Sequence, residues 1–232
     1  MIGVIVNAAA IVVGSLFGLI FKKGVPEKLS SSLMTAIGLC VMCIGISGIL
    51  KGENTLVLIT AMVCGTVIGT LVDIDALLNR LGAAVEARFS PKGQNVSIAQ
   101  GFVAGSLLMC IGAMGIVGSL NAGLSGDISM LLTKSVLDLI SSVLLAISLG
   151  VGVLLSAAML LVYEGGIVLL AQVLQPILSD AAIAEMTCAG SVMILALGMN
   201  LVGVTKIKVA NLLPAIVLAP VFVVLLKIIG VG

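Results

Sequence analysis

The chain has 232 residues, of which 61% are hydrophobic and 9% charged, with a formal net charge of +1 and a mean hydropathy of +1.38. So little polar surface cannot coat a water-soluble globule of this length, and so small a net charge excludes a general electrostatic grip on nucleic acid. Apolar runs of about 20 residues recur from end to end, which predicts an all-α polytopic bundle forming a single integral domain, residues 1–232, in the lipid bilayer.

The first predicted span covers about Ile2 to Phe21 and ends at Lys22 and Lys23. Its charges follow the apolar run, the order of a retained span and not of a cleaved signal peptide. Gly14 and Gly18 give it a G-x-x-x-G face, and Gly65 and Gly69 give another to the third span, about Thr55 to Val72. Such faces allow close helix packing and, between copies, a homodimer. The second span, about Leu29 to Leu50, lies between them. From Asp73 to about Val96, Leu77, Leu78, Leu81, Val85 and Phe89 recur at helical spacing among Asn79, Arg80, Glu86 and Arg88. This pattern predicts an amphipathic connector lying on the membrane surface.

A fourth span is expected from Ile98 to Leu120, then a polar turn from Asn121 to Asp127, and a fifth span from Ile128 to Leu149. Between Leu139 and Leu170 only Gly150 and Gly152 offer a turn. A single helix over that length would overshoot the bilayer, so two spans are predicted, the sixth running from Val153 to Leu174. The seventh is placed at Met186 to Val204 and the last, interrupted by Pro214 and Pro220, at Ala210 to Ile229, for seven or eight spans in all. Lys22, Lys23, Lys28, Arg80, Arg88, Lys92, Lys206 and Lys208 fall on one side of the eight-span arrangement. The positive-inside rule makes that side cytoplasmic, with the 73–96 connector there and both termini outside. Val41 to Ile49 (VMCIGISGI) and Leu108 to Ile116 (LMCIGAMGI) agree at six of nine positions, which suggests an internal repeat of the kind found in transporters.

Three segments, VNAAAIVVGSLFG near the start, NAGLSGDISMLLTKSVLD at Asn121 to Asp138, and the late VTKIKVANLLPAI, together resemble the YdfK/YqgA-like bacterial inner-membrane proteins, the domain of unknown function 554 family. The resemblance runs over nearly the whole length. It implies a multi-pass protein of the bacterial inner (plasma) membrane, with transport as the associated expectation and no substrate to carry over. Asn121, Gly126, Asp127, Lys134, Ser135, Asp138, Asn211 and Pro214 stand in the matching segments, whereas Glu164 is singled out by its chemistry alone.

Ionisable residues at membrane depth suggest function by their cost. Lys134 and Asp138, four residues apart on one helical face, read either as a buried pair that opens to bind an ion or charged solute, or as a staple whose lysine snorkels to water. Glu164 reads as a proton-coupling carboxyl or as a neutral hydrogen-bonded glue between helices. Asn7 and Asn211 supply polar atoms to a solute path or only to helix contacts, with Pro214 freeing carbonyls beside Asn211. Asp127 is placed to cap the fifth span, with solute access beside it and Asn121 as the other reading. The five cysteines lie in apolar segments and there is no histidine, so no metal and no cofactor are expected. With no nucleophile-base set or phosphate loop the chain is not expected to be an enzyme. The expected activity is secondary transport of a small-molecule or ion substrate, with a channel or a non-transporting scaffold or regulatory subunit as alternatives.

Overall fold

The computed structural model describes residues 1–22, 27–78, 80, 98–110, 113–176 and 178–229, and every regular element among them is helical. In chain order these are α1 (Ile2–Lys22), α2 (Glu27–Ile49), α3 (Thr55–Val72), α4 (Ile98–Cys110), α5 (Ala113–Leu124), α6 (Ser129–Leu149), α7 (Gly152–Leu169), the single turn α8 (Ala171–Leu174), α9 (Asp180–Val202) and α10 (Pro214–Ile229), the last preceded by a 3₁₀ turn at Val209–Leu212. Helices satisfy their own backbone polar groups, which is what hydrocarbon demands of a spanning segment.

Polarity is arranged inside out. Leu71, Val162, Leu169 and Ile228 are among the most exposed side chains, while Asn7, Glu164 and Glu185 are almost wholly enclosed. The outer surface is therefore suited to lipid and the interior carries the polar groups. Among the described residues, six helical segments are long and apolar enough to cross a membrane, and the bent pair α4 and α5 would make a seventh. The sequence had suggested seven or eight. α2 adds a shorter apolar helix, Thr35–Ile49, among the described residues.

The expected fourth span is not straight. α4 and α5 flank residues 111 and 112, and their axes differ by 61°. Asn121 therefore stands in the last turn of α5 and not in the polar turn assigned to it. Of the two similar segments, Val41 to Ile49 lies in the unbroken α2, whereas Leu108 to Ile116 is divided between α4 and α5. The reversal at Gly150 is as expected: its φ of 77° suits glycine, and α7 starts two residues later. α9 begins at Asp180, six residues before the expected Met186, because Ser179 accepts the Ala182 N–H and caps it. Of the connector at 73–96, Asp73 is a turn residue, residues 74–78 are helical, and the rest, apart from Arg80, lies outside the described residues.

α1 runs alongside α6, α2 alongside α9, α4 alongside α7, and α3 against α10 and its 3₁₀ turn. α1 and α6 are parallel, since Gly3 meets Leu131 and Gly18 meets Ala146. A methyl group at Gly18 would stand 2.8 Å from Ala146 Cβ, and one at Gly65 would stand 2.7 Å from Ala215 Cβ. Both small-residue faces are thus occupied within the chain, and a second copy would have to use other surfaces.

Candidate functional site and family relationship

On α6, Lys134 and Asp138 lie one turn apart and both are 7% exposed. At 1.5 Å per residue they stand roughly 8 and 14 Å beyond the start of the helix. Lys134 does not snorkel. Its Nζ donates to Asp138 Oδ2 and, at 2.6 Å, to the carbonyl oxygen of Met109. Met109 belongs to the last turn of α4, where carbonyls lack intrahelical partners and the helix end is partially negative. The ammonium therefore serves as the cap of that helix.

Glu164 enters from α7 and is completely buried. Its Oε1 is 3.3 Å from Lys134 Nζ, an ion-pair distance without hydrogen-bond alignment, and its Oε2 accepts a long 3.4 Å bond from Asn7 Nδ2 on α1. Near the start of α5, Gly115 brings main chain against the cluster: a Cβ there would be 2.8 Å from Glu164 Oε1 and 3.3 Å from Lys134 Cε. The partially positive end of α5 thus approaches a carboxylate while the negative end of α4 approaches the ammonium. Four helices and the start of a fifth converge on one buried network.

Gly115→Ala should test that approach. The atom in the way is the tip of a flexible side chain, so the fold should persist with Tm within about 3 °C of wild type, an effect of order 1 kcal/mol. Any solute affinity at the cluster should fall several-fold. Unchanged affinity, read by titration calorimetry, would show that the start of α5 does not shape the site.

The remaining candidates lie elsewhere. Asp127 is exposed in the loop before α6, where its Oδ1 accepts the Ser129 N–H at 2.9 Å and the Ser129 hydroxyl at 2.7 Å. The backbone bond, followed by the hydroxyl bond, holds its carboxyl below the usual range. The N-cap position itself falls to Ile128, which has no capping side chain, so Asp127 ties down the start of α6 from one residue outside it and not as the expected cap. Asn121 lies six residues beyond Gly115, partly exposed. Asn211 accepts the Asp75 N–H at 2.8 Å, and its backbone packs on Gly69. That is the end of the bundle where α3 finishes, whereas the charged cluster lies toward the end where α6 begins. Cys110 and Cys188 are buried, Cys40, Cys43 and Cys64 exposed, and all five are free. Among the described residues no group of three or more His, Cys, Asp or Glu side chains could hold a metal ion.

Glu185 escaped the sequence analysis. It is 2% exposed on α9, and its Oε1 accepts the Glu53 and Asn54 N–H groups, each at 2.7 Å, closing the turn between α2 and α3. Its Oε2 meets no donor among the described residues. The available signal was Ser179-Asp180, a helix-start pair that would have moved the beginning of α9 upstream and drawn Glu185 into the span.

Residues 2–224 match the family described as "Protein of unknown function (DUF554)". This chain belongs to that family. It is 32% identical over 234 residues to the "Uncharacterized membrane protein YdfK" of Bacillus subtilis (strain 168), covering 99% of each chain. It is 30% identical over 222 residues to the "Uncharacterized protein YqgA" of Escherichia coli (strain K12), covering 94% of each. No solved structure matches. With its apolar spans, this DUF554 chain is a multi-pass protein of the bacterial inner membrane.

Proposed function

We propose that this protein is a secondary carrier of a small polar or ionic solute, and that Lys134, Asp138, Glu164 and Asn7 form its site. The observation that carries this reading is a buried network of one ammonium and two carboxylates, drawn from α6 and α7 and set against the bent pair α4 and α5. For stability alone, well-packed apolar side chains would serve such positions as well or better. Ends of interrupted helices meeting charged side chains at membrane depth are the arrangement by which transporters hold ions and solutes. With the basic loops in the cytoplasm, the cluster lies nearer the outer face.

The test is uptake into proteoliposomes of purified protein over a panel of metal cations, amino acids and organic anions, with Asp138→Asn in parallel. Saturable flux in wild type, reduced at least about 100-fold in folded Asp138→Asn, is expected for loss of a charged contact of about 2.7 kcal/mol or more. Flux that does not saturate and cannot be driven uphill would indicate a channel. Full flux in the variant would remove Asp138 from the path.

A further inference from the structure

The buried cluster has more acceptors than donors. Asp138 and Glu164 set two negative charges against the single positive charge of Lys134, leaving one negative charge in excess when all three are ionised. Asn7 Oδ1, at 0% exposure, meets no hydrogen-bond donor among the described residues, and Glu164 Oε1 has only the poorly aligned Lys134 ammonium at 3.3 Å. These two oxygens belong to side chains that already touch one another, through Asn7 Nδ2 and Glu164 Oε2. A buried acceptor without a donor is costly, and an unbalanced buried charge more so. One additional positive charge between them would relieve both.

We infer that this site carries one monovalent positive charge beyond Lys134, taken alternately as a proton on Glu164 and as a small alkali cation between Glu164 Oε1 and Asn7 Oδ1. The inference rests on the carrier reading and names the ion of that same site. Glu164 is the exchanging group because its oxygens are held only by the 3.3 Å ion pair with Lys134 and the long 3.4 Å bond from Asn7, whereas Asp138 Oδ2 is held directly by Lys134. The cation is monovalent because a second positive charge would overshoot neutrality. Carboxylate and amide oxygens are hard donors suited to such an ion, and the start of α5 at Gly115 borders the place.

The exchange balances: a protonated Glu164 and an incoming cation give a cation-bound carboxylate and one released proton. Of the other titratable groups near Glu164, Lys134 and Asp138 face it from α6, Cys110 ends α4, and Tyr163 precedes it on α7. α1 contributes the uncharged Asn7 and α5 contributes main chain. α2 packs farther along α6, around Ser141 and Ser148.

The experiment is titration of detergent-solubilised wild type and Glu164→Gln with lithium, sodium and potassium chloride against choline chloride, in weakly buffered solution with a pH indicator. Wild type should bind at least one of the three and release about one proton per ion, with apparent affinity rising up to about tenfold per pH unit in the range where the proton competes. Glu164→Gln copies the protonated form in shape and charge, so it should fold, release no proton and bind at least about tenfold more weakly. No alkali-ion binding by wild type, binding without proton release, or an unaltered Glu164→Gln would each overturn the inference. Asp138-dependent flux of another solute without alkali binding would leave the carrier reading standing and this one refuted. Proton-linked alkali binding without flux of any solute would do the reverse.

Discussion

Replacing Lys134 with Met should lower the stability of the protein by about 3–5 kcal/mol, measured by unfolding in detergent at pH 8 with choline as the only small cation. The substitution keeps the length of the side chain and removes the charge that faces Asp138, Glu164 and the Met109 carbonyl together. Two carboxylates would then share a buried site with no cation, and the carbonyl at the end of α4 would lose its donor. Lys134→Met/Asp138→Leu/Glu164→Met should regain most of the loss, because an apolar cluster of similar volume has no charge to desolvate. Recovery should be incomplete, since Asn7 loses its acceptor at Glu164. The triple variant should carry no solute. A Lys134→Met protein as stable as wild type would mean that the ammonium is not the buried partner of the two acids.

Gly14→Leu should be the most damaging substitution on α1, costing about 3 kcal/mol or more. A Cβ at this position already runs into the Ser142 hydroxyl and the Leu139 carbonyl on α6. The hydroxyl could turn away, but the carbonyl is main chain and can yield only if α1 and α6 separate. That movement would also draw Asn7 away from Glu164. Thermal unfolding should therefore shift by roughly 6–12 °C for a chain of this size. Phe17→Leu is the control, since Phe17 is 55% exposed on the lipid side and the change should stay within about 0.5 kcal/mol. Equal effects at Gly14 and Phe17 would show that α1 does not pack on α6 through this face.

Much of the local structure was readable in the chain. The i,i+4 spacing of Lys134 and Asp138 fixes a common helical face, and the burial of both excludes the snorkelling reading. The reversal at Gly150 followed from the length of the apolar run and the lack of any other turn residue. The bend in the fourth span was not legible, because a continuous apolar sequence carries no mark of one: LMCIGAMGI divides between two helices, while the similar VMCIGISGI continues through α2. Asn211 read either as a path residue or as a helix contact, and its side chain ties the turn after α3 at the other end of the bundle.

Composition and period by themselves determined the solvent of this protein and the helical state of its segments, because hydrocarbon requires each segment to satisfy its own backbone and that requirement is local. Which polar groups meet was decided only by tertiary packing. Asn7 and Glu164 are 157 residues apart, and Met109 takes part through a carbonyl oxygen that every residue possesses. Their meeting depends on where glycines let α1 approach α6 and α4 approach α7, and on the angle between α4 and α5. These are properties of surfaces in contact, and a one-dimensional pattern of polarity does not contain them.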